Sequence, residues 1–154
     1  MEDLEIVEYK ASHALSIISE GAKEPSLVMS ENVKVWAETF VNIKPSVAGI
    51  YKGKPVGCGG LAIKWPGVAE AWCLFAKSTA QLPLKVRIDF ALIVKALLMR
   101  WMDEYKLVRV QAPMRSDFPL GEKFVKTLGF VQESNLMAKY HPDGTSAVLF
   151  ALVR

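Results

Sequence analysis

This sequence has few of the residues from which metal and redox functions are recognised. Among its 154 residues only Cys58 and Cys73 are cysteines, and only His13 and His141 are histidines. The cysteines form no C-x-x-C pair and lie near no histidine cluster, so we expect no metal site. Both thiols are expected to be buried in a reducing compartment.

Runs of charge are also missing. The formal net charge is +3, and no five or six like charges follow one another, which argues against nucleic-acid binding. The N-terminus, MEDLEIVEYK, opens with acids, so no signal peptide is predicted. Lys85, Asp89 and Lys95 interrupt the most apolar stretch, so we expect no membrane span. We also expect a cytoplasmic location.

Apolar residues are abundant and predict one well-packed domain over residues 1–154. They make up 51% of the chain, which is at the top of the usual globular range. A core of ordinary size can account for this fraction. A homo-oligomer or partner surface is an open alternative.

Hydrophobic periodicity and turn residues predict seven strands and four helices. The predicted strands are 4–9, 46–51, 55–64, 68–75, 107–112, 130–140 and 145–153. The predicted helices are 11–19, 31–41, 82–105 and 119–128. Ser30 is the expected N-cap of the second helix, Gly21 and Pro25 form a turn before it, and the third is expected to be a core helix.

The junction FVKTLGF, residues 124–130, is the most specific motif of the chain. Gly129 is expected to end a helix in the left-handed region, and Phe130 to start a strand. This junction and the element order resemble the GNAT family of N-acetyltransferases, in which a similar F-Y-x-K-x-G-F links the last helix to the penultimate strand. The resemblance implies an α+β (mixed α/β), GNAT-like acyl-CoA N-acyltransferase fold, with a central, mostly antiparallel twisted sheet of about seven strands flanked by about four helices.

The resemblance also implies a place for acetyl-CoA. In the family, the strand before the long helix offers its backbone to pantetheine, and the following loop and helix N-terminus hold the pyrophosphate. The matching residues are Leu74, Phe75 and Ala76 for pantetheine, and Lys77, Ser78, Lys85 and Arg87, with Thr79, near the phosphates.

The phosphate loop departs from the family pattern. The R-x-x-G-x-G/A motif is missing, and no glycine occurs between Gly67 and Gly121. Cationic side chains and a helix end need no glycine to hold phosphate, so binding is compatible with this loop. The alternative is that these positions are solvated residues at an ordinary helix start.

The resemblance implies a catalytic base and acid as well. Glu70 is the predicted base, because flanking apolar residues would desolvate its carboxylate; the alternative is a side chain on the open, solvated face of the sheet. The family tyrosine that protonates the departing thiolate is replaced by Val125. Tyr140 and Tyr105 are possible substitutes, although a structural role is open for each.

The predicted function follows from these parts. The chain resembles the small acetyltransferase-like proteins of tailed bacteriophages, which implies transfer of acetyl from acetyl-CoA to an amine of a small molecule or host protein. The alternative is a catalytically inactive protein of the same fold that modulates a host enzyme, or an internal virion component.

Overall fold

The structure is a computed structural model that describes residues 3–21 and 33–154. The strands are β1 (Leu4–Glu8), β2 (Ser46–Tyr51), β3 (Lys54–Trp65), β4 (Val68–Phe75), β5 (Arg109–Arg115), β6 (Val131–Gln132) and β7 (Ala147–Val153). The helices in the described residues are α1 (Ala11–Ser19), α2 (Val33–Thr39), α3 (Leu84–Glu104), α4 (Pro119–Thr127) and a 3₁₀ helix, Lys77–Gln81. The predicted turn at Pro25, cap at Ser30 and helix start at Glu31 lie outside the described residues.

The strands form one seven-stranded sheet in the order β1-β2-β3-β4-β5-β7-β6. Four of its ladders are antiparallel, whereas β4 and β5 are parallel. The β4–β5 ladder has three residue pairs and ends at Glu70–Gln111. The predicted mixed α/β fold with a mostly antiparallel sheet is therefore confirmed.

Close contacts divide the chain into two compact units. The first comprises the described residues of Met1–Ala62 together with Trp72–Phe90. Its core contains Ile17, Ala37 and Leu74, all fully buried. The Tyr9 hydroxyl donates to the Ala37 carbonyl at 2.7 Å, which ties the end of β1 to α2. The prediction of a single domain remains a prediction.

The second unit comprises Ile63–Ala71 and Ala91–Arg154. The FVKTLGF junction lies here and has the predicted geometry. Gly129 has a φ of 102°, a conformation that costs glycine little. The Phe130 N–H donates to the Val125 carbonyl at 3.0 Å, which closes α4, and the Phe130 side chain is buried.

The strand predicted at 130–140 was wrong in length. Only Val131–Gln132 pair continuously with β7, and Met137 forms an isolated bridge with Ala147. Between them the Ser134 hydroxyl accepts the Leu149 N–H at 2.8 Å. A side chain thus replaces a main-chain partner, which interrupts the ladder.

Two further predictions differ from the structure. The long helix begins at Leu84 rather than residue 82, because Leu82 is extended, as is usual for a residue before proline. This helix is also less buried than predicted. Leu84, Ile88 and Leu92 are 64%, 50% and 58% exposed, at a spacing that forms one stripe.

Candidate functional site

The end of β4 is held within the first unit. The Leu74 side chain is fully buried in the core. The Ala76 N–H donates to the Val56 carbonyl at 3.0 Å, and the Ala76 carbonyl accepts the Thr79 N–H at 3.0 Å. Both main-chain groups of Ala76 are therefore engaged inside the protein. Main-chain N–H and C=O groups of successive residues in a strand point to opposite edges, so those of Phe75 point away from the β3 side that the Ala76 N–H faces.

A 3₁₀ helix occupies the position of the family's glycine-rich loop. It runs over Lys77–Gln81 and supplies a tight turn without glycine. The Thr79 hydroxyl donates to the Val56 carbonyl at 2.7 Å, so its proton is already committed. Ser78 is half-buried next to it and Lys77 is exposed. Sequence reasoning missed this helix.

The first turn of α3 is cationic. It contains Lys85 and Arg87 and no acidic residue. The Lys85 side chain is 81% exposed and pairs with Asp89 at 3.1 Å, and Nε of Arg87 donates to the Leu82 carbonyl at 3.1 Å. A helix N-terminus carries partial positive charge and favours anions. Two cations at that end are unfavourable for the helix by itself, but they would be favourable beside a bound phosphate group.

Glu70 lies in a polar cluster of the second unit. Its Oε2 accepts the Nε2 amide of Gln111 at 3.3 Å, and Lys64 Nζ lies 4.0 Å from its Oε1. The Glu70 side chain is 31% exposed. The carboxylate is thus partly shielded from water and has polar neighbours. This lies between the two alternatives drawn from the sequence, a carboxylate desolvated by apolar residues and one on the solvated face of the sheet.

The cluster continues from Gln111 to two further residues that sequence reasoning missed. Nε of Arg109 donates to Oε1 of Gln111 at 3.2 Å. Arg109 also binds both carboxylate oxygens of Glu133, at 3.1 and 2.7 Å. These bonds raise the pKa of Arg109 and lower the pKa of Glu133. The sequence signal that could have revealed both residues is the alternation of polar Arg109 and Gln111 with buried Val110 along β5.

The two candidate proton donors differ in their surroundings. Burial, and secondly the charge of Glu70, raise the pKa of Tyr140, so this phenol lies within the electrostatic field of the predicted base. Tyr105 is 40% exposed just beyond the end of α3. Val125, at the family's tyrosine position, is buried on α4. Of the two tyrosines, Tyr140 is thus the one whose pKa responds to Glu70.

The segment after Tyr140 is anchored by Arg115, whose side chain is 2% exposed. Its guanidinium donates to Asp117 at 2.9 and 3.0 Å, to Asp143 at 2.8 Å and to Thr145 at 2.9 Å. The same bonds raise the pKa of Arg115 and lower those of Asp117 and Asp143. The arginine thereby fixes the 143–145 turn to the end of β5.

In the described part of the chain, the two cysteines are buried or half-buried. Burial raises the pKa of the Cys58 thiol, and Cys73 is half-buried. Within residues 3–21 and 33–154, no three His, Cys, Asp or Glu side chains are arranged to hold a metal ion. No helix in this part of the chain is long and apolar enough to cross a membrane.

Solved structures similar to this chain include proteins described as acetyltransferases. Ard1 from Thermoplasma volcanium has a TM-score of 0.75 at 14% identity, over 98% of this chain and 97% of its own. A GNAT-family acetyltransferase from Bacillus anthracis has a TM-score of 0.71 at 13% identity, over 98% and 95%. The protein yncA from Salmonella typhimurium, solved with its cofactor acetyl-CoA, has a TM-score of 0.65 at 13% identity, over 98% and 94%.

These similarities define the fold. No protein-family profile matches the chain, and no curated protein is close enough in sequence to match it. At such low identities the structural similarity establishes the GNAT acyltransferase fold, which the sequence resemblance had implied. Activity has to be argued from this chain's own residues.

Proposed function

We propose that this chain is an acetyl-CoA-dependent N-acetyltransferase that modifies an amine of a small molecule or a protein. The observation that carries the proposal is the cationic first turn of α3, which follows β4 and the 3₁₀ helix, in a GNAT fold. Lys85 and Arg87 lie in this turn, which contains no acidic residue, and Lys85 pairs with Asp89 of the following turn. The positive end of the helix and both side chains would stabilise a bound pyrophosphate.

The rest of the proposed cofactor site lies on the neighbouring segment. Lys77 and Ser78 would add a charge and a hydroxyl donor near the phosphates. The pantetheine arm is expected along β4 at residues 74–76. Because both main-chain groups of Ala76 are engaged internally, we expect its contribution to be a van der Waals contact.

Glu70 is the proposed base. Bound acetyl-CoA supplies an activated thioester, and the acceptor must arrive as a neutral amine. The Glu70 carboxylate would take the proton from the acceptor ammonium, because it is partly shielded and accepts only one side-chain hydrogen bond among those described. Tyr140, kept protonated by its raised pKa, would return a proton to the leaving thiolate, a step that water can also perform.

A second candidate function is partner binding without catalysis. The exposed stripe of Leu84, Ile88 and Leu92 on α3 favours it, since contiguous exposed apolar residues often mark interaction sites. The partner would be a host protein, a virion component or a second copy of the chain. We propose a phage origin for this chain under either function.

The test is release of free thiol from acetyl-CoA in the presence of a panel of amines. The wild-type protein is expected to turn over at least one amine, and Glu70→Gln is expected to reduce kcat about 10²-fold or more while binding acetyl-CoA normally. Glu122→Gln, which alters an exposed pair with Lys126, is the matched control and should be unchanged. An equal kcat for Glu70→Gln and wild type would exclude Glu70 as the base.

A further inference from the structure

The hydrogen bonds around Glu70 form a chain in which each side chain fixes the next. Gln111 is the central member: its Oε1 accepts from Arg109 Nε at 3.2 Å, and its Nε2 donates to Glu70 Oε2 at 3.3 Å. A guanidinium can only donate and an ionised carboxylate can only accept. Only this orientation of the amide therefore satisfies both neighbours.

Arg109 is itself held in place. It binds both carboxylate oxygens of Glu133 at 3.1 and 2.7 Å, a forked geometry that restricts rotation of the guanidinium. The Glu133 N–H donates to the Leu149 carbonyl at 2.9 Å, which secures Glu133 to β7. The side chains of Arg109 and Glu133 are 26% and 37% exposed, so water competes only partly for these bonds.

We propose that Gln111 is a positioning residue that acts through Glu70, with Arg109 and Glu133 fixing its amide. The inference rests on the proposed function of Glu70 as base. Gln111 occupies Oε2, whereas Lys64 Nζ stands 4.0 Å from Oε1, which is beyond hydrogen-bond length. Oε1 is therefore the oxygen that receives the proton: the N–H bond of the acceptor ammonium breaks, an Oε1–H bond forms, and the electron pair stays on the amine.

A double-mutant cycle tests whether Gln111 acts through Glu70. Gln111→Met keeps a side chain of similar length but removes the donor, and should lower kcat about tenfold with an unchanged KM for acetyl-CoA. In a Glu70→Gln background the same substitution should change kcat less than about twofold. Gln111→Leu, which also removes the donor and adds no charge beside Glu70, serves if the methionine variant does not fold.

A control and a refuting outcome complete the cycle. Arg100→Met removes the surface pair of Arg100 with Glu104 on α3 and should leave both kcat and KM unchanged. An equal loss from Gln111→Met in both backgrounds would overturn the proposal, because Gln111 would then act independently of Glu70.

A second readout needs no turnover. In ¹H–¹⁵N spectra of the ligand-free protein, the side-chain amide proton that Gln111 donates to Glu70 should lie downfield of an ordinary glutamine amide proton and exchange slowly with water. Arg109→Met should move this proton toward the ordinary position and speed its exchange, since the Gln111 side chain is then free to change rotamer, and unchanged signals would overturn the relay. Failure of wild type to bind acetyl-CoA would overturn the proposed function instead, and the amide signals would still decide the relay.

Discussion

Replacing Gly49 with alanine is expected to destabilise the protein by a calculable amount. A Cβ at this position of β2 would lie 2.4 Å from Cε2 of Phe90, far inside the 3.4–4 Å of ordinary contact. The aromatic ring would have to move by about 1 Å, and such overpacking costs about 1–3 kcal/mol. Relief of glycine's backbone entropy returns about 0.5–1 kcal/mol. Taking the middle of both ranges, the free energy of unfolding should fall by about 1 kcal/mol.

Thermal and urea unfolding measure this change. A loss of about 1 kcal/mol corresponds to a fall in Tm of roughly 2–4 °C for a chain of this size. Gly57→Ala is the matched control, because its Cβ would approach Phe75 only to 3.2 Å and Phe90 to 3.4 Å. Adding Phe90→Leu to Gly49→Ala should recover part of the loss. A Gly49→Ala protein as stable as wild type would show, against this prediction, that the Phe90 ring yields to the added Cβ without cost.

Three further predictions concern the site. Lys85→Ala should change the stability of the free protein by less than about 0.5 kcal/mol, since the pair of Lys85 with Asp89 is exposed. In a thermal-shift assay, wild type should gain roughly 2.7 kcal/mol of stability when acetyl-CoA is present at a hundred times its Kd. The variant should lose about 1 kcal/mol of this ligand-induced stabilisation. Arg115 lowers the pKa of the Asp143 carboxyl, so the stability of wild type should fall as the pH drops below about 4. Arg115→Met should lower Tm by about 5 °C or more at pH 7. In acid titrations, the stability of this variant should also depend less on pH than that of wild type. Tyr140→Phe should reduce kcat about 10²-fold without weakening acetyl-CoA binding, as calorimetry and steady-state rates would show.

Much of the fold could be predicted because local signals agreed with the tertiary structure. Lys52 and Gly53 both adopt positive φ, 49° and 77°, and so form the hairpin turn that the glycine-containing loop predicted. Gly129 likewise marked the end of α4. The 130–140 strand was wrong because the Ser134 hydroxyl takes a main-chain N–H of β7, a competition that hydrophobic alternation does not reveal.

The candidate site could be predicted only in part. Glu70 and the cations of α3 were named from the family resemblance, and their roles remain predictions. Gln111 was missed because its contact with Glu70 depends on the register of β4 against β5, which joins residues 41 positions apart. Arg115 was missed for the same reason, since its partners Asp143 and Thr145 follow it by 28 and 30 residues.

We propose that the cationic turn of α3 binds acetyl-CoA despite the missing glycines. Calorimetric titration of acetyl-CoA into the purified protein, with coenzyme A as the control, measures this binding. We expect micromolar binding by wild type that is weakened in Lys85→Ala. Absence of binding up to millimolar ligand would overturn the proposed cofactor site and favour a partner-binding protein built on the same fold.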